Sequence, residues 1–279
     1  MPRIDRVAVN GIEINVASAG VGPAVVLIHG FPHTWRLWSS VIPALSRSAR
    51  VIAPDLRGLG DSTRAASGYD LATLGSDLSV LLDEFGVERA AVVGIDLGGP
   101  VAFHHALSNP AAVRCAVLIE CLLGRLPGAE GFLADGPPWW FGFHSVPGLA
   151  ETVLEGHESE YVGWFLENGT ADKKGVPAAI RDAFVDAYSG RESLACAFRH
   201  YRAMPGNGKQ LVDALRDRRL TVPTMAIGAK PIGSTLAMQL EPVADDLSSH
   251  LIEDCGHIVP LEQPAALLEL IEPFLARHP

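Results

Sequence analysis

Three side chains in this sequence have the types and surroundings for covalent catalysis: Asp96, His257 and Glu120. Asp96 lies in Gly94-Ile95-Asp96-Leu97-Gly98-Gly99, after the apolar run Ala90–Ile95 and before a helical pattern over residues 100–107. A glycine-flanked turn between a buried strand and a helix holds its central side chain above the sheet edge. The N–H of Leu97 and the start of the helix favour negative charge there. An Asp ahead of a helix also serves simply as an N-cap, so the turn alone leaves both readings open. If Asp96 attacks, its chemistry is restricted. A carboxylate attacking an ester or amide carbonyl gives an anhydride. Attacking an sp³ carbon, it gives an alkyl ester that water later cleaves. Epoxides and alkyl halides are the fitting electrophiles.

A second motif, His29-Gly30-Phe31-Pro32, ends the apolar run Ala24–Ile28. With the Asp96 turn it resembles the α/β-hydrolase superfamily, which implies an oxyanion hole made by the backbone N–H groups of Phe31 and Leu97. The resemblance extends to Pro54-Asp55-Leu56-Arg57-Gly58-Leu59-Gly60-Asp61-Ser62, where Asp55, Arg57 and Asp61 are expected to stabilise a loop. It also implies the catalytic histidine in Cys255-Gly256-His257, between the last strand pattern and the last helix. The other nine histidines have weaker contexts; His104, His105 and His250 are expected in packing or at the surface. A catalytic histidine needs an acceptor for its second N–H. Many relatives place an Asp after the penultimate strand, but residues 228–234 here contain no carboxylate. The superfamily's alternative position is filled by Glu120, at the end of Val113–Ile119. A carboxylate there is costly to bury without a partner, and His257 would be one.

The whole set resembles the epoxide hydrolases of that superfamily. The resemblance implies a ring opened to a vicinal diol through an alkyl-Asp96 ester, which water activated by His257 then hydrolyses. Two tyrosines usually donate to the epoxide oxygen. His200-Tyr201-Arg202-Ala203 matches the second, so Tyr201 takes that role. The first has no counterpart. The segment reads Pro137-Pro138-Trp139-Trp140-Phe141-Gly142-Phe143-His144, similar to a Trp/Trp/Tyr variant in some bacterial polyketide-pathway enzymes. Indole N–H is a donor only, so Trp139 or Trp140 is the expected substitute, with His144 a third candidate. Both tryptophans also suit cap packing. Pro32, Phe141 and His144 are expected against the substrate. A haloalkane or haloacid dehalogenase using the same nucleophile is the alternative. Leu97 stands where haloalkane dehalogenases carry Trp, and the arginines of fluoroacetate dehalogenases are absent. A non-catalytic ligand-binding member of the fold is the remaining reading.

These residues need a scaffold. Residues 7–10 and 13–18 alternate around Asn10-Gly11, a hairpin signal. Apolar runs at Ala24–Ile28, 51–53, Ala90–Ile95, Val113–Ile119, 224–227 and 250–252 read as strands. Helical spacing appears at 35–45, 71–85, 100–107, 178–188, 194–204 and 265–275. Alternation of this kind predicts an α/β fold with a mostly parallel sheet and helices on both faces. From 122 to 216 no strand pattern occurs. That segment is expected as an all-helical cap inserted into a core of residues 1–121 and 217–279. There is no repeat or low-complexity tract.

Composition narrows the remaining options. The 279 residues are 48% hydrophobic and 19% charged, enough for a sizeable core. A net charge of −10 without a basic cluster argues against nucleic acid. No apolar run nears the roughly 20 residues of a membrane helix, and the first residues lack a signal-peptide pattern, so a cytoplasmic protein is expected. Cys115, Cys121, Cys196 and Cys255 match no metal or redox spacing and are expected as buried free thiols. No metal or cofactor is expected. The implied partners are a small hydrophobic epoxide and water. The sequence leaves the oligomeric state open, a homodimer included. Arginine outnumbers lysine 18 to 4, consistent with a GC-rich bacterial genome.

Overall fold

The computed structural model describes residues 1–279. Eight strands form one sheet: β1 (Arg3–Val9), β2 (Ile12–Ala19), β3 (Ala24–Ile28), β4 (Arg50–Pro54), β5 (Ala90–Ile95), β6 (Val113–Ile119), β7 (Thr224–Gly228) and β8 (Leu247–Leu251). Their order is β1-β2-β4-β3-β5-β6-β7-β8. β2 runs antiparallel to β1 and β4, and every other neighbouring pair is parallel. Asn10 and Gly11 both adopt positive φ, 45° and 78°, which lets a two-residue turn follow the strand twist. Every residue of β3, β5, β6 and β7 is buried, as continuous apolar strands covered on both faces must be.

The helices preceding the insert are α1 (Ile42–Leu45), α2 (Leu71–Glu84) and α3 (Gly98–Ser108). Between β6 and β7 the regular elements are all helical: α4 (Trp139–Ser145), α5 (Leu149–Leu154), α6 (Glu158–Asn168), α7 (Ala178–Ala187) and α8 (Arg191–Ala214). α9 (Thr235–Leu240), α10 (Val259–Glu262) and α11 (Pro264–Arg277) complete the chain. No helix is long and apolar enough to cross a membrane. All four cysteines are free and buried.

Three elements differ from the sequence pattern. The single helix expected over 35–45 is a 3-10 turn, Trp35–Trp38, followed by the short α1. Pro43 lacks an N–H and its ring blocks a helical turn upstream. The helix expected to stop at Met204 continues through Pro205 to Ala214, where Gly208 and Leu211 are buried. β8 begins at Leu247, not at 250, because Ser248, Ser249 and His250 carry no apolar signal. It is the sheet's last strand, paired on one side only and largely exposed.

The loop after β4 is built around Asp55. This buried carboxylate accepts from the Trp35 amide (2.7 Å), the Asp61 amide (2.9 Å) and Asn15 Nδ2 (2.8 Å). Burial would raise its pKa, but His29 and these amides hold it below the usual carboxylate value. Arg57 donates to both oxygens of Asp77 at 2.7 and 2.9 Å, a buried bidentate pair that ties the loop to α2. Asp61 takes part through its backbone, its amide on Asp55 and its carbonyl accepting from Arg6 at 2.8 Å.

Candidate active site

Asp96 stands at the turn from β5 into α3 with φ at 54°, a conformation non-glycine residues rarely adopt. One carboxylate oxygen, Oδ1, accepts the Phe31 N–H at 2.9 Å. This contact requires Gly30, since a Cβ there would lie 2.0 Å from Oδ1. The other oxygen, Oδ2, lies 3.3 Å from His257 Nε2. On the far side of the ring, His257 Nδ1 lies 3.3 Å from Glu120 Oε2.

Glu120 also has positive φ, 40°, and only 1% of its surface is exposed. Its second oxygen accepts the amides of Ala229 and, at 3.3 Å, Ile232. The loop after β7, which holds no carboxylate, thus supplies amides to the carboxylate that arrives from β6. Glu120 can be buried because each of its oxygens has a partner.

Electrostatics follow from this chain of contacts. Burial alone would raise the Asp96 pKa, but the bond to His257, its charge and the Leu97 amide together hold it below the usual value. Burial alone would lower the pKa of His257. The two carboxylates outweigh it and push the imidazolium up to about 10. Geometry says the same. Both ring nitrogens face carboxylate oxygens, which only accept, so both nitrogens carry protons.

A cavity of about 630 Å³ opens above Asp96 between the sheet and the insert. Asp96, His257, Glu120, Phe31, Pro32, Leu97, Trp140, Phe141 and Tyr201 line it. The Tyr201 hydroxyl has no protein hydrogen bond, and burial, with Asp96's charge, pushes it well above its ordinary pKa. Its ring meets Phe31 edge-on, at 5.9 Å between centroids.

The remaining expected donors separate in space. Trp139 does not line the cavity. It is 53% exposed and packs at the surface against Trp140 and Trp164. Trp140 lines the cavity but leans on Phe165, 5.4 Å away, and on Trp164. His144, expected against the substrate, lies behind the wall, fully buried. Its Nε2 bonds the Tyr161 hydroxyl at 2.6 Å, and its Nδ1 has no partner. Its ring stacks on Phe198 at 4.1 Å and meets Tyr201 edge-on at 4.3 Å. Burial, with Arg202's charge, lowers its pKa to about 3, so it is neutral.

Sequence reasoning passed over several residues that line or support this site. His33 lines the cavity with both ring nitrogens unpartnered, kept neutral by burial and by the charge of His257, its pKa near 3. Its place directly after Phe31-Pro32 was the available signal. Trp164 and Phe165 line the cavity from α6, where apolar spacing alone does not separate lining from packing.

The family model described as the alpha/beta hydrolase fold matches residues 23–159. Over 276 residues the chain is 29% identical to a soluble epoxide hydrolase of a Corynebacterium species, covering 96% of this chain and 95% of that one. Among solved structures, Cfl2 of Burkholderia cenocepacia superposes with a TM-score of 0.90 at 30% identity, covering 98% of this chain and 95% of the other. The epoxide hydrolase CorEH superposes with a TM-score of 0.90 at 27% identity, covering 99% of both chains. With the family match and the 30% identical neighbour covered over nearly its whole length, the chain belongs to the α/β-hydrolase superfamily.

Proposed function

We propose that the protein is an epoxide hydrolase in which Asp96 opens the ring and His257 directs water onto the resulting ester. The observation that carries this reading is the nucleophile itself: a carboxylate, held by the Phe31 amide on one oxygen and His257 on the other. Similarity over nearly the full length to proteins named epoxide hydrolases supports the same substrate class. Residues 122–216 form the proposed cap, which closes an apolar cavity over the nucleophile.

In the first half-reaction an Asp96 oxygen bonds to a ring carbon as the C–O bond breaks. The ring oxygen takes the Tyr201 proton. A second donor stabilises it: His144, whose ring touches Tyr201 and Phe31 and whose Nδ1 is unpartnered, takes this role by turning that nitrogen out of the wall towards the cavity, and Trp140, which already lines the cavity, is the other candidate. Esterification removes the Asp96 charge that helps keep His257 protonated. The imidazolium then gives up the proton that ultimately replaces the one lost by Tyr201. Neutral His257 is now a base. It takes a proton from water, which attacks the ester carbonyl carbon of Asp96. The Phe31 and Leu97 amides stabilise the tetrahedral oxyanion. Collapse releases the diol and restores carboxylate and imidazolium, so protons balance over the cycle.

Single turnover of styrene oxide in ¹⁸O-water tests the reading. The first diol should carry unlabelled oxygen from Asp96, with label entering the carboxylate. Label in that first diol would mean direct attack by water and overturn the assignment.

A further inference from the structure

We propose that Glu262 is a positioning residue for His257, clamping the histidine loop to the loop between α6 and α7. The inference rests on the catalytic role of His257 given above. Glu262, at the end of α10, reaches back across its own helix. Its Oε2 accepts the amides of Gly256 (3.0 Å) and Ala171 (2.8 Å), and its Oε1 accepts the amide of Ile258 (3.1 Å). The bonds thus fall on the residue before His257, on the residue after it, and on the insert.

Two further contacts join the same segments. The His257 amide donates to the Gly169 carbonyl at 2.6 Å. Gly256 is pressed against the insert so closely that a Cβ would meet the Gly169 oxygen at 2.2 Å and the Ala171 nitrogen at 2.7 Å. No cation lies within ion-pair distance of Glu262, so backbone amides alone compensate its carboxylate. A side chain that merely covered the surface would not gather three amides from two distant segments.

The clamp matters because His257 has little else to aim it. Its ring contacts to Asp96 and Glu120 are both 3.3 Å, longer than ordinary charged hydrogen bonds. One of them is lost when Asp96 becomes an ester. From then on the loop backbone must hold the ring over the ester carbonyl. The insert's side of the clamp begins at Gly169, directly after α6, and Phe165 and Asn168 of α6 line the cavity. The wall that receives the substrate and the loop that carries the base are therefore one mechanical unit.

The test compares Glu262→Ala and the milder Glu262→Gln with the parent protein. Pre-steady-state mass spectrometry with styrene oxide follows formation and decay of the Asp96 adduct. Glu262→Ala should slow adduct decay by about tenfold to a hundredfold, the range a small misplacement costs, and leave adduct formation within about twofold. Glu262→Gln keeps one good acceptor oxygen and should fall between. A purely structural role would lower the melting temperature and slow both half-reactions alike, which would overturn the proposal. Equal decay rates in all three proteins would overturn it too. A readout without substrate separates this inference from the proposed function. The His257 pKa, followed by NMR in the free protein, should fall in Glu262→Ala. If the parent forms no adduct with any epoxide, the activity assignment fails, and the NMR shift alone decides the clamp. An unchanged His257 titration in that case sinks the clamp as well.

Discussion

Asp96 and Glu120 each bring one oxygen to His257, and the histidine's protonation depends on both. In the proposed reaction the chemistry would switch this interaction, since alkylation of Asp96 would remove one of the two charges. Asp96→Asn mimics the electrostatic part of that change. Losing one close opposite charge typically moves a pKa by about 1–3 units, so the His257 pKa should fall by that amount. NMR titration of the ring checks it, and an unchanged value would remove the switch. Glu120→Gln should lower it as well. Alkylated enzyme should accumulate in His257→Gln, because the nucleophile survives and the base does not; intact-mass measurement after mixing with epoxide reads this directly.

The proposed ring-opening donors differ in kind as well as in place. Losing one preorganised donor costs on the order of 3–4 kcal/mol of transition-state stabilisation. Tyr201→Phe should approach that loss for every substrate, measured as the rate of Asp96 alkylation. His144→Phe should cost more than Trp140→Phe, and Trp139→Phe should leave the rate at the parent value. A reversed order between His144 and Trp140 would return the second role to the indole.

At the scale of elements, the turn out of the sheet holds Asp96 in a costly conformation and pins it from behind. α3 starts so close to β3 that a Cβ on Gly98 would lie 2.3 Å from the Ile28 carbonyl oxygen. That oxygen is rigid strand backbone, so the helix must move. Gly98→Ala should destabilise the protein by about 1–3 kcal/mol, as overpacking commonly does, and tilt Asp96 away from the Phe31 amide. Denaturant unfolding together with the alkylation rate checks both. The elements themselves were legible to different degrees. β3, β5, β6 and β7 read cleanly because they are buried on both faces and contain almost nothing but apolar residues. The edge strand β8 did not, since one side of its ladder and most of its surface meet water. Pro43 and Pro205 look alike as helix breakers. Their places differ: the first lies in the opening turn of the short α1, where a missing N–H is tolerated, and the second sits within a 24-residue helix held along its buried face.

The whole molecule carries the same charges into its stability. The folded His257 pKa, about 10, exceeds the unfolded value of 6.5. Its stabilising contribution is therefore complete below about 6.5 and is lost as pH rises through 10. Asp96 has the opposite sign: its folded pKa is depressed, so its contribution is present above the unfolded value near 3.8 and fades as pH falls through the folded one. The melting-temperature advantage of the parent over His257→Gln should be greatest between about pH 4 and 6.5 and shrink towards pH 10. A difference that stays flat up to pH 10 would mean the histidine is neutral in the resting protein.

The sequence by itself offered the candidate groups: a carboxylate in a glycine-flanked turn and, through the family resemblance, a histidine in the expected loop, an empty acid position after β7 and Glu120 at the alternative one. The turn around Asp96 and the strands that carry it are local signals, because glycine spacing and apolar runs express backbone needs that neighbouring residues reveal; the other positions rest on the resemblance. Tertiary structure alone decided which aromatic groups line the cavity above Asp96. Trp139, Trp140 and His144 share one seven-residue helix, yet one faces solvent, one lines the cavity and one is buried beside Tyr201. Their order along the chain says little about this. Which side of α4 faces the cavity depends on how α6 and α8 pack against it. The same holds for Glu262, whose three amide partners include one 91 residues away, a contact that no local pattern encodes.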